Sequence, residues 1–518
     1  MRRVIFGYCV SLFVVCHVDA ASINHLDELI APMAPVVAGS GGNKITTSPE
    51  TLQLLDKLER EQRQTGPEYR PHPLPLPEPV KVPAYFTGQA DEEDIASATC
   101  NLTSHETIST FSQALTQAIC SDPEIRTLAL GLRTYWLDYK SSQSSWMPEI
   151  NLLLGASSEE DNYSQERRGT LTQRDRRYDA GLELNWLLFD FGKREALIGQ
   201  KENIWLSSQY QALSQFQDFI IQFSQVYYQV IASQAILSAA KENESIARKT
   251  WDITQNKYRS GVGVLGDALQ AENALLSATQ YRIQKEGEYE KAVGQLSSAM
   301  NLSFSDRLKP RDQLAIPSDA QMMQLKPLLS EAEKHHPLIL AAQKNISAAE
   351  NQVEQAQRDY LPSVALKASA NQNDSSLDQG TYMINKTDTL FVGVTVTVPI
   401  FSGLRRYRQL QSANTQLVRS RQEFQDVTRN VALSVWNAWQ ALNSANRNFE
   451  LISQRLATAK RAYSIANGRY LTGVGTIIEL LNTQQQLSNA EIDEANIRMD
   501  WYIQRLSLLS SIGKLSLQ

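Results

Sequence analysis

YRSGVGVLGDAL at residues 258–269 and YLTGVGTIIELL at residues 470–481 are near copies of each other. Each sets two glycines between a long proline-free run and a second, shorter one. Glycine just past a helix end adopts the left-handed backbone that closes it, so each stretch reads as the tip of a helical hairpin. The two stand 212 residues apart, 470 against 258. Other matches keep the same order: Asp122-Pro123 answers His336-Pro337, Trp146-Met147-Pro148 answers Tyr360-Leu361-Pro362, and Phe189-Asp190-Phe191-Gly192 answers Phe401-Ser402-Gly403. One unit is written twice.

Upstream of the first tip, residues 193–258 run 66 residues without proline. As one helix they would reach about 100 Å at ~1.5 Å per residue. Their apolar seam steps three and four residues at a time through Phe216, Phe219, Phe223, Val226, Val230, Ser233, Leu237, Ala240, Glu244, Ala247, Trp251, Thr254 and Tyr258. The second half repeats the phase from Thr428 and Val431 to Ala466 and Tyr470. This is coiled-coil spacing with small residues admixed. Shorter helices return from the tips over Gly266–Met300 and Ile477–Ile512.

Before each long helix the period changes to two. Ile150, Leu152, Leu154 and Ala156 alternate with mostly polar or small residues, as do Tyr178 through Leu188, Val364 through Ala370, and Leu390 through Ile400. One face is apolar and the other wet, as in strands of about 9 to 11 residues that cross a bilayer at a tilt. Four strands cannot close a barrel, and an open edge in lipid strands backbone groups at several kcal/mol each. Several chains must then share one barrel. The fold class is mainly α with a membrane β-barrel contribution, built on a duplicated helix-strand-strand-long helix-helix unit.

The divisions read as follows: 1–20 a secretory signal, 21–103 a Pro-rich extension, 104–302 the first repeat with strands about 148–158 and 177–190 and a tip at 259–265, 303–326 a linker, and 327–515 the second repeat with strands about 361–372 and 387–401 and a tip at 471–477. Arg2 and Arg3, the apolar run from Val4 to Val18 and the Val18-Asp19-Ala20 site carry the signal reading. Cys16 as a lipidation site is disfavoured, because Val15 occupies the place where a small residue belongs. Cys100 and Cys120 remain after cleavage, and an even pair in an oxidising compartment points to a disulfide of about 3 kcal/mol across a loop of about 20 residues. Prolines 67, 71, 73, 75, 77, 79 and 83 favour an extended tether.

With 50 basic against 56 acidic residues and a net charge of -6, nothing marks a nucleic-acid partner. There is no phosphate-binding loop, so neither ATP chemistry nor any cofactor is indicated. The one histidine pair, His335-His336, precedes Pro337 and reads as a helix cap in preference to a metal site. No catalytic or metal-ligating set emerges, and the chain reads as a non-enzyme.

The doubled order of elements, with Tyr-x-x-Gly-Val-Gly followed by Asp267-Ala268-Leu269 or Glu479-Leu480-Leu481, resembles the TolC family of outer-membrane efflux and secretion proteins over about residues 104–515. The resemblance implies a homotrimer in the outer membrane: twelve strands around one barrel, in outer-membrane lipid, above a hollow periplasmic cylinder of helices. It implies an adaptor protein met by the tips, through Arg259, Gly261, Val262, Gly263, Thr472, Gly473, Val474 and Gly475, and an inner-membrane ABC or RND-type pump behind it. Glu479 and Asn482 match positions that line the constriction, and Asp267 matches a latch position with Tyr470 as partner. Gly475 replaces the arginine expected in that latch. A helix-dipole role explains the acid type of Asp267 and Glu479 equally directly. The cargo is either protein, by type I secretion, or small molecules; a periplasmic coiled-coil adaptor or scaffold is the alternative of another class.

Overall fold

The computed structural model describes residues 89–91, 110–165, 169–304, 324–377 and 386–515. All of them belong to the unit Pro73–Gln518; the signal, the proline cluster, Cys16, Cys100 and the 305–323 linker segment lie outside the described residues. Cys120 is disulfide-bonded.

The first repeat runs α1 (Phe111–Ser121), α2 (Pro123–Ser144), β1 (Glu149–Gln165), β2 (Gly169–Phe189), α3 (Lys193–Arg259) and α4 (Leu265–Ala299). The second runs α5 (Leu325–His335), α6 (Pro337–Arg358), β3 (Ser363–Leu377), β4 (Lys386–Thr397), α7 (Arg405–Leu471) and α8 (Ile477–Ser511). Equivalent caps start α2 and α6. The Asp122 carboxylate accepts from the Glu124 and Ile125 N–H groups at 2.6 and 3.3 Å, and His336 Nδ1 accepts from Leu338 N–H at 3.2 Å, each ahead of a proline at the first helical position. Proline there gives up a donor the helix would leave unused. His336 is buried, which pushes its pKa down to about 4 and keeps Nδ1 available as the acceptor.

The four strands form one antiparallel sheet in the order β1-β2-β3-β4. Its register lines like with like: Leu182 pairs with Leu152 and Ala370, Leu366 with Val394, and Glu183 with Asn151 and Ser369. The apolar face is exposed, from Leu152 and Leu154 to Val392 and Val394. The first three strands are longer than the alternation suggests, at 17, 21 and 15 residues. Beyond Ala156 the hydrophobic signal stops, yet the ladder continues to Gln165↔Gly169, because pairing needs only backbone. β4 stops earlier than expected, at Thr397: Pro399 cannot donate to a ladder.

The main core lies where α1 and α5 pack on the long helices. Phe216, Phe223, Tyr227 and Val230 of α3 meet Leu115 and Ile119 of α1, Val435 and Trp439 of α7, and Trp501 and Leu508 of α8. Phe111, Tyr228 and Tyr502 stack in a row at 5.5 and 5.2 Å, tying α1, α3 and α8. At about 1.5–3 kcal/mol per large side chain, this cluster fixes the mutual height of the helices. At the strand-helix junction, buried Arg194 bonds Asp190 at 3.1 Å and donates to the Ser145 and Leu188 carbonyls. The second repeat replaces this with Asp359, whose carboxyl Lys193 and Arg406 hold below its usual range against the opposing effect of burial.

Candidate functional site at the hairpin tips

Both tips close by the same bonds. Gly261 (φ +78) donates to Tyr258 O at 3.0 Å and Val262 to Lys257 O at 3.1 Å; Gly473 (φ +81) donates to Tyr470 O at 3.2 Å and Val474 to Arg469 O at 3.0 Å. This pairing satisfies carbonyls that a helix end leaves open, and only glycine takes the positive φ without strain. Gly263 and Gly475 each add a further bond, at 2.9 Å, to the same Lys257 and Arg469 carbonyls. A Cβ at 263 would lie 2.8 Å from Tyr258 N, and one at 475 would lie 3.0 Å from the Arg469 Cβ. The glycine standing where an arginine was expected therefore serves a tight turn. Arg259, Val262, Val264, Leu265, Leu471, Thr472 and Val474 are exposed around the turns.

Behind the tips the two hairpins of one chain join. Tyr470, Ile477 and Leu480 of the second bury against Ala271 of the first, with Trp251 and Ile253 alongside. Lys257 Nζ crosses from α3, donates to Tyr470 O at 2.8 Å and lies 4.3 Å from the centre of the Tyr470 ring. A cation suits the negative end of α7, and the ring face adds about 0.5–2 kcal/mol. Burial first, then the negative charge of Asp267, push the Tyr470 hydroxyl above the usual phenol range.

The constriction candidates occupy the start of α8. Thr476 caps this helix, its hydroxyl accepting from Glu479 N–H at 3.2 Å. The Glu479 carboxylate lies 3.6 Å from Arg469 Nε, so each chain sets a cation beside its own acid. Asn482 is exposed one turn further on. Asp267 holds the matching first-turn position of α4. Sequence reasoning did not single out Lys257 or Arg469. The available signal was positional: both are basic residues in a helix's last turn, at matching places in the repeat.

Paired long hairpins beneath an open-edged four-stranded sheet with an apolar face define a class, the subunits of outer-membrane channel-tunnels. Residues 114–302 and 328–514 match the outer membrane efflux protein family, and the chain belongs to it. It is 25% identical over 407 residues to Protein CyaE of Bordetella pertussis, spanning 78% of this chain and 84% of that one. It is 24% identical over 425 residues to Outer membrane protein TolC of Escherichia coli K12, spanning 78% and 82%. The fold matches the outer-membrane channel OprN at a TM-score of 0.66 with 18% identity, over 87% of this chain and 98% of that one. The chain is an outer-membrane efflux or secretion channel of the TolC family, a passive conduit and not an enzyme, with a large periplasmic helical part.

Proposed function

We propose that three copies of this chain form one exit duct, which receives cargo from an inner-membrane pump through a periplasmic adaptor and releases it outside the cell. The observation that carries this reading is the sheet. β1 and β4 are its two edges, and its apolar face stands uncovered. Edges and face are both satisfied when copies close a barrel in lipid. The exposed valines and leucines of the tips supply the surface for the adaptor. Native mass measurement in detergent tests the assembly: a trimer with channel activity is expected, and a conducting monomer overturns it.

Type I protein secretion is the favoured cargo route, since Val15 disfavours a lipid anchor at Cys16. The second reading, small-molecule efflux, follows the family's own description. Cross-linking in cells followed by identification of the bound pump separates them: an ABC transporter dedicated to a secreted protein supports the first, an RND-type pump the second.

A further inference from the structure

Behind its apolar face the sheet carries a second, mostly polar one. The register sets Gly155, Asp179, Asn373 and Thr387 side by side in one row of that face, and Leu153, Gly181, Asn371 and Thr389 in the next. These two rows line a depression of about 600 Å3. It lies level with Ala156 and Tyr178, where the apolar band of the other face ends on the side away from the helices.

Glycine weakens the interior of a strand, and it is used there at bulges, at bends or where another group comes close. The ladder of β1 and β2 passes through Gly155 and Gly181 with no shift of register, so neither marks a bulge. Both are overlain by acceptors. A Cβ at 181 would fall 2.3 Å from Asn371 Oδ1, and one at 155 would fall 3.6 Å from Asp179 Oδ2. The Asn371 amide can lie across Gly181, which is buried, because residue 181 has no side chain.

The lining is rich in acceptors. Asn371 Nδ2 donates to Ser369 Oγ at 3.4 Å, which leaves the amide oxygen as the free end. Among the described residues, the Asp179 carboxylate and the hydroxyls of Thr387 and Thr389 have no hydrogen-bond partner. Carboxylate and amide oxygens only accept, and a hydroxyl can accept. Such a lining suits a ligand rich in N–H donors, and the acid adds a preference for positive charge. Glu183 stands on the same face of β2, four residues or about 13 Å from Asp179, with Gly181 midway between them. Arg177 lies one row outward.

We propose that this depression is a binding site for an organic cation, an ammonium or guanidinium group, on the wall of the duct. The inference rests on the duct reading, which turns this face to the lumen and gives one such site per chain. A free amine and a lysine or arginine side chain of an exported protein share this chemistry.

Planar bilayers holding the full-length channel test the site, with spermidine added on the barrel side. Spermidine should interrupt the current, and Asp179→Asn should raise the half-blocking concentration severalfold in channels that still open. Gly181→Ala keeps the acid but displaces the Asn371 oxygen, so it should weaken block as well. Asp388→Asn removes an acid that lies between Thr387 and Thr389 on the opposite, lipid-facing side, and block should stay at the wild-type level. Block from the barrel side should also persist in Glu479→Ala, which separates it from the tips. Equal block in wild type and Asp179→Asn, an equal loss in Asp388→Asn, or equal block by uncharged maltotriose overturns the proposal. A lysine-containing tripeptide distinguishes the sources: block by the peptide alone assigns the site to polypeptide cargo, block by spermidine shows that a free amine suffices, and block by neither overturns it. If the wild type forms no channels, the duct reading itself has failed.

Discussion

The two hairpin tips share a backbone and differ in what their side chains do. The bonds that close them match residue for residue. Yet Tyr258 is 41% exposed while its counterpart Tyr470 is 5% exposed. Lys257 reaches across to the other hairpin, whereas Arg469, at the matching position, stays on its own and lies beside Glu479. Duplication preserves the local turn, because its glycines answer to local sterics. The side chains answer to neighbours, and neighbours differ between a tip that lies over its partner and one that does not.

The strongest attempt to break this likeness targets the turns. Gly261→Val with Gly473→Val forces β-branched residues into φ near +80°, at about 1–2 kcal/mol each or more. Export should be abolished while trimers persist in the membrane, as read by secretion assay and native mass. Normal export by the double variant would remove the tips from the docking role. Within the likeness there is a gradient: Gly263→Ala should disturb its tip more than Gly475→Ala, since the added Cβ meets backbone at 2.8 Å in the first and at 3.1 Å in the second.

The paired caps sharpen the comparison next. His336 has a folded pKa of about 4, below its unfolded value of about 6.5. Its neutral form is the one the fold holds, so the stability it contributes is complete above about pH 6.5 and falls as pH drops toward 4, by about 3 kcal/mol in all. Melting in detergent should show this loss between pH 6.5 and 4, and His336→Asp should shrink it. A wild-type melting temperature flat over that range refutes the assignment.

How far residues announced these features depended on whether the signal was local. The seam from Phe216 to Thr254 was legible because burial repeats with helical period, and the apolar faces of β2 and β4 because their hydropathy repeats with period two. The length of β1 was not, since its ladder runs on through Glu159 and Glu160, where no apolar alternation marks it. Tyr258 fits the seam and still ends up exposed. At the tips Asp267, Tyr470 and Glu479 were singled out through the family resemblance. Lys257 was not, because its partner is a carbonyl 213 residues away, and such a bond leaves no local trace.

Lys257 gives the next prediction. Lys257→Met removes the donor and the charge over the Tyr470 ring, about 1–2 kcal/mol together. Arg469→Met removes only a half-exposed pair worth less than about 1 kcal/mol. Hydrogen exchange at the end of α7 should therefore rise more in the first variant than in the second. Tyr470→Phe separates two bonds to the same residue: it keeps the ring and the carbonyl that Lys257 uses and loses the hydroxyl near Asp267. Exchange close to wild type in Tyr470→Phe is expected, and a rise equal to that of Lys257→Met would move the tie to the hydroxyl.

The smallest energy belongs to Glu479, and its readout is selectivity. In a trimer the three Glu479 carboxylates would stand around the axis and attract cations, with hard oxygen ligands for multivalent ions. Each also has Arg469 at 3.6 Å, in a pair half open to water, and a screened pair of that kind leaves much of the negative field in place. The two residues should thus act in opposite directions. Glu479→Ala should lower cation preference, measured as reversal potential across a salt gradient in planar bilayers, and relieve block by multivalent cations. Arg469→Ala should raise both, and Asn482→Asp should strengthen block by adding a second acid one turn further on. If Glu479 serves only the start of α8, where Thr476 already caps the helix, its loss changes stability by about 0.3–1 kcal/mol and leaves the reversal potential where it was. Opposite shifts in the first two variants are the result that a purely local role does not produce.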